Sequence, residues 1–392
     1  MIAHIIVLLL LLIAVPDYYL HRHYLRRRRG YTWKWRFLWW LPALVMAVYA
    51  LALTFSSDFA PTEIGYLYLF LLLLGLIVVP KVVFALCSSV GLLVCRLTRS
   101  RRNWGNAIGL LLALLVVVGT IYGSTLGVTR LKVRHEEFVS KEIPEAFDGY
   151  RIVHFSDAHV GACTGYRSVI LEKMVDSINA QHPDMVAFTG DIQNKLPSEL
   201  DRVQPLLSKI QSRDGIFAVM GNHDYAKYIG GDPIECNLNE ALTESKIRSL
   251  GWTLLINENR TVRRGNDSIF VVGTGDDCDS RYQPDRSKRS NFRKAMEGIS
   301  DKSFALMLQH APQLWPDSVL NHTTAQLTLS GHTHGGQVRI LGFAPISLRE
   351  DYWGGMYQEG HRALNVSTGV SGLIPFRIGM TPEIVVITLR RN

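Results

Sequence analysis

Side chains able to bind metal or move protons cluster at the ends of short apolar runs in the second half of the chain. The densest group is Gly331-His332-Thr333-His334-Gly335-Gly336-Gln337. Two imidazoles one residue apart can aim at neighbouring points only where the backbone between them bends sharply, and the flanking glycines permit that bend. A pair of metal ions requires such an arrangement. Upstream, the same pattern recurs as Asp157-Ala158-His159, Gly190-Asp191, Gly221-Asn222-His223-Asp224 and a lone His310, each after an apolar run. Carboxylate, imidazole and neutral amide together suit divalent first-row metals, whereas an all-oxygen set would favour magnesium or calcium. Mn, Fe, Zn and Co are the candidates.

In that order, Asp-x-His, Gly-Asp, Gly-Asn-His-Asp, a His after a strand and Gly-His-x-His resemble the calcineurin-like metallophosphoesterase family, over roughly residues 150–390. The resemblance implies that Asp157, His159 and His334 hold one ion, that Asn222, His310 and His332 hold the other, and that Asp191 bridges them. Two cations so bridged lie about 3.5–4 Å apart, and a water they share loses its proton near neutral pH to become the nucleophile on a phosphomonoester, phosphodiester or pyrophosphate. His223 would then be a general acid that binds no metal, with Asp224 orienting its ring. Purple acid phosphatases carry a tyrosine three residues after the bridging aspartate, where this chain has Asn194. Protein serine/threonine phosphatases have Gly-Asn-His-Glu and an Asp-Arg pair, replaced here by Asp224 and by Asn194-Lys195. The chain is more similar to the membrane-anchored bacterial phosphodiesterase branch, as Gly273-Thr274-Gly275-Asp276-Asp277 and the run from Arg377 to Ile384 also suggest.

Every one of these residues follows an apolar run, so the fold must deliver several strand ends to one edge. Residues 168–181, 200–211 and 238–250 carry apolar side chains at helical spacing, and 253–256, 268–272, 304–308, 325–329, 363–367 and 384–389 read as strands. Residues 138–143 alternate like a strand, and Asp148-Gly149 suggests a hairpin turn into Ile152. Two packed mixed β-sheets flanked by helices accommodate this order, which is also the α/β fold that the resemblance implies. Alternation turns His154 away from the site. His182, His322 and His361 have no partner motif.

The first third is almost wholly apolar. Residues 2–20, 37–55, 64 to about 86 and 107–128 approach the roughly 20 apolar residues that span a bilayer, giving an all-α membrane region of four transmembrane helices at 1–128 before the catalytic domain at 129–392. Pro80 and Lys81 leave the end of the third open between Val79 and Val94. The first reads as a span rather than a signal peptide, since no basic stretch precedes it and no small-x-small cleavage site follows. Arg22, Arg26, Arg27, Arg28, Arg29, Lys34 and Arg36 follow the first span, and Arg96, Arg99, Arg101 and Arg102 follow the third, while residues 56–63 contain no Lys or Arg. The positive-inside rule makes both basic loops cytoplasmic and the catalytic domain of this multi-pass cell-membrane protein extracytoplasmic. These loops carry much of the net charge of +8, so it implies no nucleic-acid partner.

Residues 276–303, with Arg281, Arg286, Lys288, Arg289, Arg293 and Lys294, read as a solvated loop and helix or, alternatively, as an electropositive rim that attracts anionic substrate or lipid headgroups. Cys163, Cys236 and Cys278 are too irregularly spaced for a zinc knuckle, and one disulfide is open to them outside the cytoplasm. The alternatives are a non-catalytic scaffold or sensor, which would be expected to have lost ligands or His223 where none is missing, and a metallonuclease, which would need a basic groove with interleaved aromatics where the soluble part shows only the cluster at 281–294. Nothing indicates an oligomeric state. Residues 338–360 place Ile340, Leu341, Phe343, Tyr352, Trp353, Met356 and Tyr357 directly after the metal-binding loop. Core packing accounts for some of these residues equally well; an aromatic-rich surface there would suit the bilayer as partner and a lipid-linked phosphate ester as substrate.

Overall fold

The computed structural model describes residues 2–54, 64–225, 228, 232–276 and 289–392. The loop at 56–63, Cys278, Arg281, Arg286 and Lys288 lie outside the described residues. Contacts divide the chain into two compact units, Met1–Thr125 with Ile374–Phe376 and Leu126–Leu373 with Arg377–Asn392.

In the first unit, Ile5–Leu25, Trp33–Thr54, Ile64–Thr98 and Trp104–Gly127 are long and apolar enough to cross a membrane. The third runs for 35 residues, past the Val94 limit expected from the sequence. A proline lacks the amide donor and crowds the preceding turn, which ordinarily breaks a helix. Here that preceding turn is a wider π-turn, Leu74–Val78, and Pro80 sits at the start of the helix Val79–Thr98 that follows it. Asp17 and Lys81, charges inside apolar spans, pair at 2.9 Å, so neither is left alone in hydrocarbon.

The second unit has twelve strands among the described residues. They are β1 (Lys132–Val139), β2 (Arg151–Phe155), β3 (Met185–Thr189), β4 (Ile216–Val219), β5 (Thr253–Leu254), β6 (Glu258–Arg264), β7 (Asp267–Gly273), β8 (Ala305–Leu308), β9 (Leu327–Ser330), β10 (Gly355–Glu359), β11 (Arg362–Val366) and β12 (Glu383–Arg390). They form two six-stranded sheets, ordered β1-β12-β2-β3-β4-β5 and β10-β11-β9-β8-β7-β6. Both are mixed: β2, β3, β4 and β5 run parallel, as do β7, β8, β9 and β11, while β12 is antiparallel to β2.

Alternation along the strands builds the layers. In β3, Met185 and Ala187 face the second sheet and pack with Leu306, Leu308, Leu327 and Leu329, whereas Val186 and Phe188 face a helical layer that includes Ile170, Met174 and Ile247. Helix Val169–Ala180 supplies the first two of these and helix Pro233–Ser249 the third. On the far side of the second sheet, Phe292, Ala295, Trp315 and Val319 cover Met307 and Leu364. The expected α/β arrangement of two packed sheets between helices is therefore the observed one.

Some local expectations fail. Asp148-Gly149 does not make a hairpin between β1 and β2, because β12 inserts between them and pairs with both. The helix expected at 200–211 shrinks to a 3-10 turn, Pro197–Leu200, and the single α-turn Gln204–Leu207, since Pro205 permits a start but no upstream continuation. Strands β6 and β10 escape the sequence reading because half-exposed strands such as Glu-Asn-Arg-Thr-Val-Arg-Arg carry too few apolar residues to alternate visibly.

Candidate metal centre

Parallel strands put their carboxyl ends on one edge, and the expected site residues emerge there. Asp157 and His159 follow β2, Asp191 follows β3, and Asn222, His223 and Asp224 follow β4; from the second sheet, His310 follows β8 and His332 and His334 follow β9. Each side chain must turn back toward a common point directly after leaving a strand. Asp157 (φ 53°), His159 (39°), Asp191 (60°), His332 (71°) and His334 (51°) accordingly hold the left-handed backbone that non-glycine residues rarely adopt. Gly190 and Gly221 touch at the centre, where a Cβ on Gly190 would come within 2.7 Å of the Gly221 Cα.

Two groups of donor atoms result. In one, His159 Nε2 lies 4.0 Å from Asp157 Oδ1, and His334 Nε2 lies 3.5 Å from the same oxygen. In the other, His310 Nε2 and His332 Nδ1 are 3.2 Å apart, and Asn222 Oδ1 lies 3.1 Å and 2.9 Å from them respectively. Asp191 Oδ2 stands between the groups, 3.6 Å from His159 Nε2 and 3.3 Å from His310 Nε2. His159 Nε2 is fully buried without a hydrogen-bond partner, facing two carboxylates, which is an arrangement a cation completes. The donor set fits divalent metal.

Oxygens behind the rings fix which nitrogen faces inward. His159 Nδ1 meets Asn194 Oδ1 at 3.0 Å, His310 Nδ1 donates to the Thr189 carbonyl at 2.6 Å, and His334 Nδ1 donates to the Ser371 carbonyl at 3.0 Å. Asn222 Nδ2 donates to the Tyr228 hydroxyl at 2.7 Å, which turns Oδ1 toward the imidazoles. Asn194 entered the sequence reading only as a departure from other families, and Tyr228, Ser371 and Thr189 did not enter it. A side chain at a fixed offset from a motif, as Asn194 is, leaves a sequence signal; a main-chain carbonyl leaves none.

Burial sets the charge state of three of the rings. It lowers His159 well below the usual imidazole range, pushes His332 down to about 3 and lowers His334, so these rings are held in the neutral form that ligates metal. Burial alone would push the Asp191 carboxyl up, yet His310, His223 and His159 around it hold it well below the carboxylate range. Asp191 in turn raises His310 against that ring's own burial.

His223 lies in the same cluster, its ring centroid 4.8 Å from that of His159 and 4.5 Å from that of Tyr228. With His159 and Asp191 it forms a third group whose candidate ligand atoms lie within 4.8 Å of one another, so proximity alone does not separate ligand from acid. The expected partnership with Asp224 is corrected by the structure: His223 Nδ1 donates to the Asn194 carbonyl at 2.6 Å. Asp224 instead accepts the amides of Asp191 (2.7 Å), Ile192 (3.0 Å), Gln193 (3.3 Å) and Gly221 (3.0 Å). A carboxylate surrounded by main-chain donors is committed to the loops and has no oxygen left for a ring. His154 does face away from the metal-binding groups and lies between the sheets, with Nε2 2.8 Å from Thr189 Oγ1 and Nδ1 2.9 Å from Asn365 Nδ2. Cys163 and Cys236 are buried free thiols.

A family model for the calcineurin-like phosphoesterase domain matches residues 150–336, and one for a probable calcineurin-like phosphoesterase transmembrane domain matches residues 3–128. Over 260 residues the chain is 32% identical to YkuE of Bacillus subtilis, an uncharacterized metallophosphoesterase, covering 64% of this chain and 82% of that protein. It is 28% identical over 289 residues to a Danio rerio transmembrane protein with a metallophosphoesterase domain, covering 71% of this chain and 62% of that one. Phosphodiesterase YaeI of Escherichia coli is 27% identical over 248 residues, covering 61% of this chain and 82% of its own length.

Proposed function

We propose that this chain, which belongs to the calcineurin-like metallophosphoesterase family and so is a metal-dependent hydrolase of phosphate esters, works with two divalent ions held on either side of Asp191. The carrying observation is the position of Asp191 Oδ2, 3.6 Å from His159 Nε2 on one side and 3.3 Å from His310 Nε2 on the other. Asp157, His159 and His334 would hold one ion, and Asn222, His310 and His332 the other, with Asp191 shared.

Bound ions there would neutralise phosphate charge and make water acidic enough to attack phosphorus at neutral pH. The remaining work falls to the chain. The carbonyl and amide oxygens behind His159, His310 and His334 keep their Nε2 atoms aimed inward, so the ligands need no reorganisation when metal arrives. His223, oriented by the Asn194 carbonyl through Nδ1, presents Nε2 to deliver a proton to the leaving oxygen.

The chain is a multi-pass membrane protein. We take residues 1–128 as its membrane part and 129–392 as its catalytic part, and the basic residues after the first and third spans support an extracytoplasmic catalytic part acting on a phosphate ester at the membrane surface. The phosphodiesterase name of the Escherichia coli relative makes a diester the first ester to try. The full-length protein, solubilised in detergent and stripped by chelator, should regain hydrolysis of bis-p-nitrophenyl phosphate on adding Mn, Fe, Zn or Co, with two equivalents of metal bound. Full rate with a single equivalent would contradict the shared Asp191, and no turnover with any of these metals would contradict catalysis at this site.

A further inference from the structure

The segment that follows His332 and His334 presents an unusual surface. Between Arg339 and Arg349 no residue is charged: the intervening sequence is Ile-Leu-Gly-Phe-Ala-Pro-Ile-Ser-Leu. Its large apolar side chains point outward, with Ile340 57% exposed, Leu341 103%, Phe343 52% and Leu348 80%. Four such exposures within nine residues exceed what scattered surface hydrophobics require.

The turn that carries them is built rather than slack. Ile340 and Phe343 exchange main-chain hydrogen bonds at 2.9 and 3.0 Å, and Leu341, at the tip, has φ of 50°. Arg339 Nε donates to the Gly342 carbonyl at 3.2 Å. A leucine held in left-handed backbone at full exposure costs conformational energy that solvent does not return. The base of the turn is tied to the metal loop: Gln337 N donates to the His334 carbonyl at 3.1 Å, and Arg339 and Gln337 bracket Ile378 through main-chain bonds of 2.7 and 2.9 Å.

We infer that the turn from Ile340 to Leu348 inserts into the headgroup region of an anionic lipid surface, with Arg339 and Arg349 on the phosphates and Leu341 at the tip among the acyl chains. An apolar tip flanked by cations fits that occupant. Arg349 already lies 3.7 Å from Glu350, so a second protein would have to bring an acidic partner for Arg339 as well as an apolar seat for the tip, whereas a lipid surface supplies both layers at once. Insertion would place lipid phosphates beside His334, which is the step from a phosphate ester in general to a lipid phosphate as substrate; only this consequence rests on the phosphoesterase reading.

The test uses the full chain in nanodiscs of phosphatidylethanolamine and phosphatidylglycerol, with a photoreactive residue introduced as Leu341→p-benzoylphenylalanine. Illumination should yield a lipid adduct, as should the same replacement at Leu110, an exposed position within a span, whereas Lys302, exposed ahead of β8 at the opposite edge of its sheet, should yield none. Adding Arg349→Gln should lower the Leu341 adduct about fivefold in anionic nanodiscs and leave it unchanged in phosphatidylcholine. Labelling at 341 no greater than at 302, while 110 labels, would overturn the inference, as would an adduct to another protein copy in place of lipid. Hydrolysis of bis-p-nitrophenyl phosphate by the same preparations reads the catalytic assignment separately. Intact hydrolysis without a lipid adduct sinks insertion alone, and an adduct without hydrolysis leaves insertion standing.

Discussion

Asp224 and Asp191 meet through the main chain: Oδ2 of Asp224 accepts the Asp191 amide at 2.7 Å, while its Oδ1 takes the next two amides. The loop that carries Asp191 is thus clamped by a residue on the neighbouring loop. In Asp224→Asn one oxygen becomes an amide donor facing amide donors. We expect metal affinity to fall about 10–100-fold and stability to drop by roughly 3 kcal/mol. Calorimetric Mn titration and urea unfolding measure both. A changed pH–rate profile with unaltered metal affinity would instead restore Asp224 as the partner of His223.

Asp191→Asn removes the one negative charge that faces both donor groups. Activity should be abolished and bound metal, counted by mass spectrometry, should fall below two equivalents. Two ions retained at full rate would contradict the bridging role.

His223→Ala should keep the metal content and lose on the order of 10² to 10⁴ in rate, the range typical of general-acid catalysis. Metal lost along with rate would make His223 a ligand, a possibility that its closeness to His159 and Asp191 makes concrete.

Asn194 acts through two different groups, its side chain on His159 and its carbonyl on His223. Asn194→Ala removes only the first. The expected outcome is a roughly 10–100-fold weaker metal affinity, with the rate at saturating metal nearly unchanged. A large fall in saturated rate would mean that the loop carbonyl had moved as well.

Protease added outside intact cells or spheroplasts should digest the catalytic part, given the positive-inside argument. A protected catalytic part would reverse the orientation.

The residues of the candidate metal centre were legible because each follows an apolar strand and carries donor chemistry that few loops need; Asp157, Asp191 and His310 are examples. The role of Asp224 was not, since adjacency in sequence to His223 says nothing of where a carboxylate points once four amides compete for it. Register was partly legible. The apolar runs announced β2, β3, β8 and β9, but β6, with Val262 its one apolar residue, is stabilised by pairing along its length with β7 rather than by its own pattern. The placement of β12 between β1 and β2 is a tertiary choice that overrides a strong local turn signal at Asp148-Gly149.

That placement also sets a timetable. Arg134 on β1 finds Glu383 on β12 only across 249 positions of chain, and β1 cannot join β2 until β12 lies between them. The carbonyl that orients His334 belongs to Ser371, also a late residue. Until residues 371–390 have been made, β1 and β2 lack the strand that joins them and His334 lacks the carbonyl behind its Nδ1. Completion of the candidate centre therefore depends on long-range pairing of the last strand with the first two.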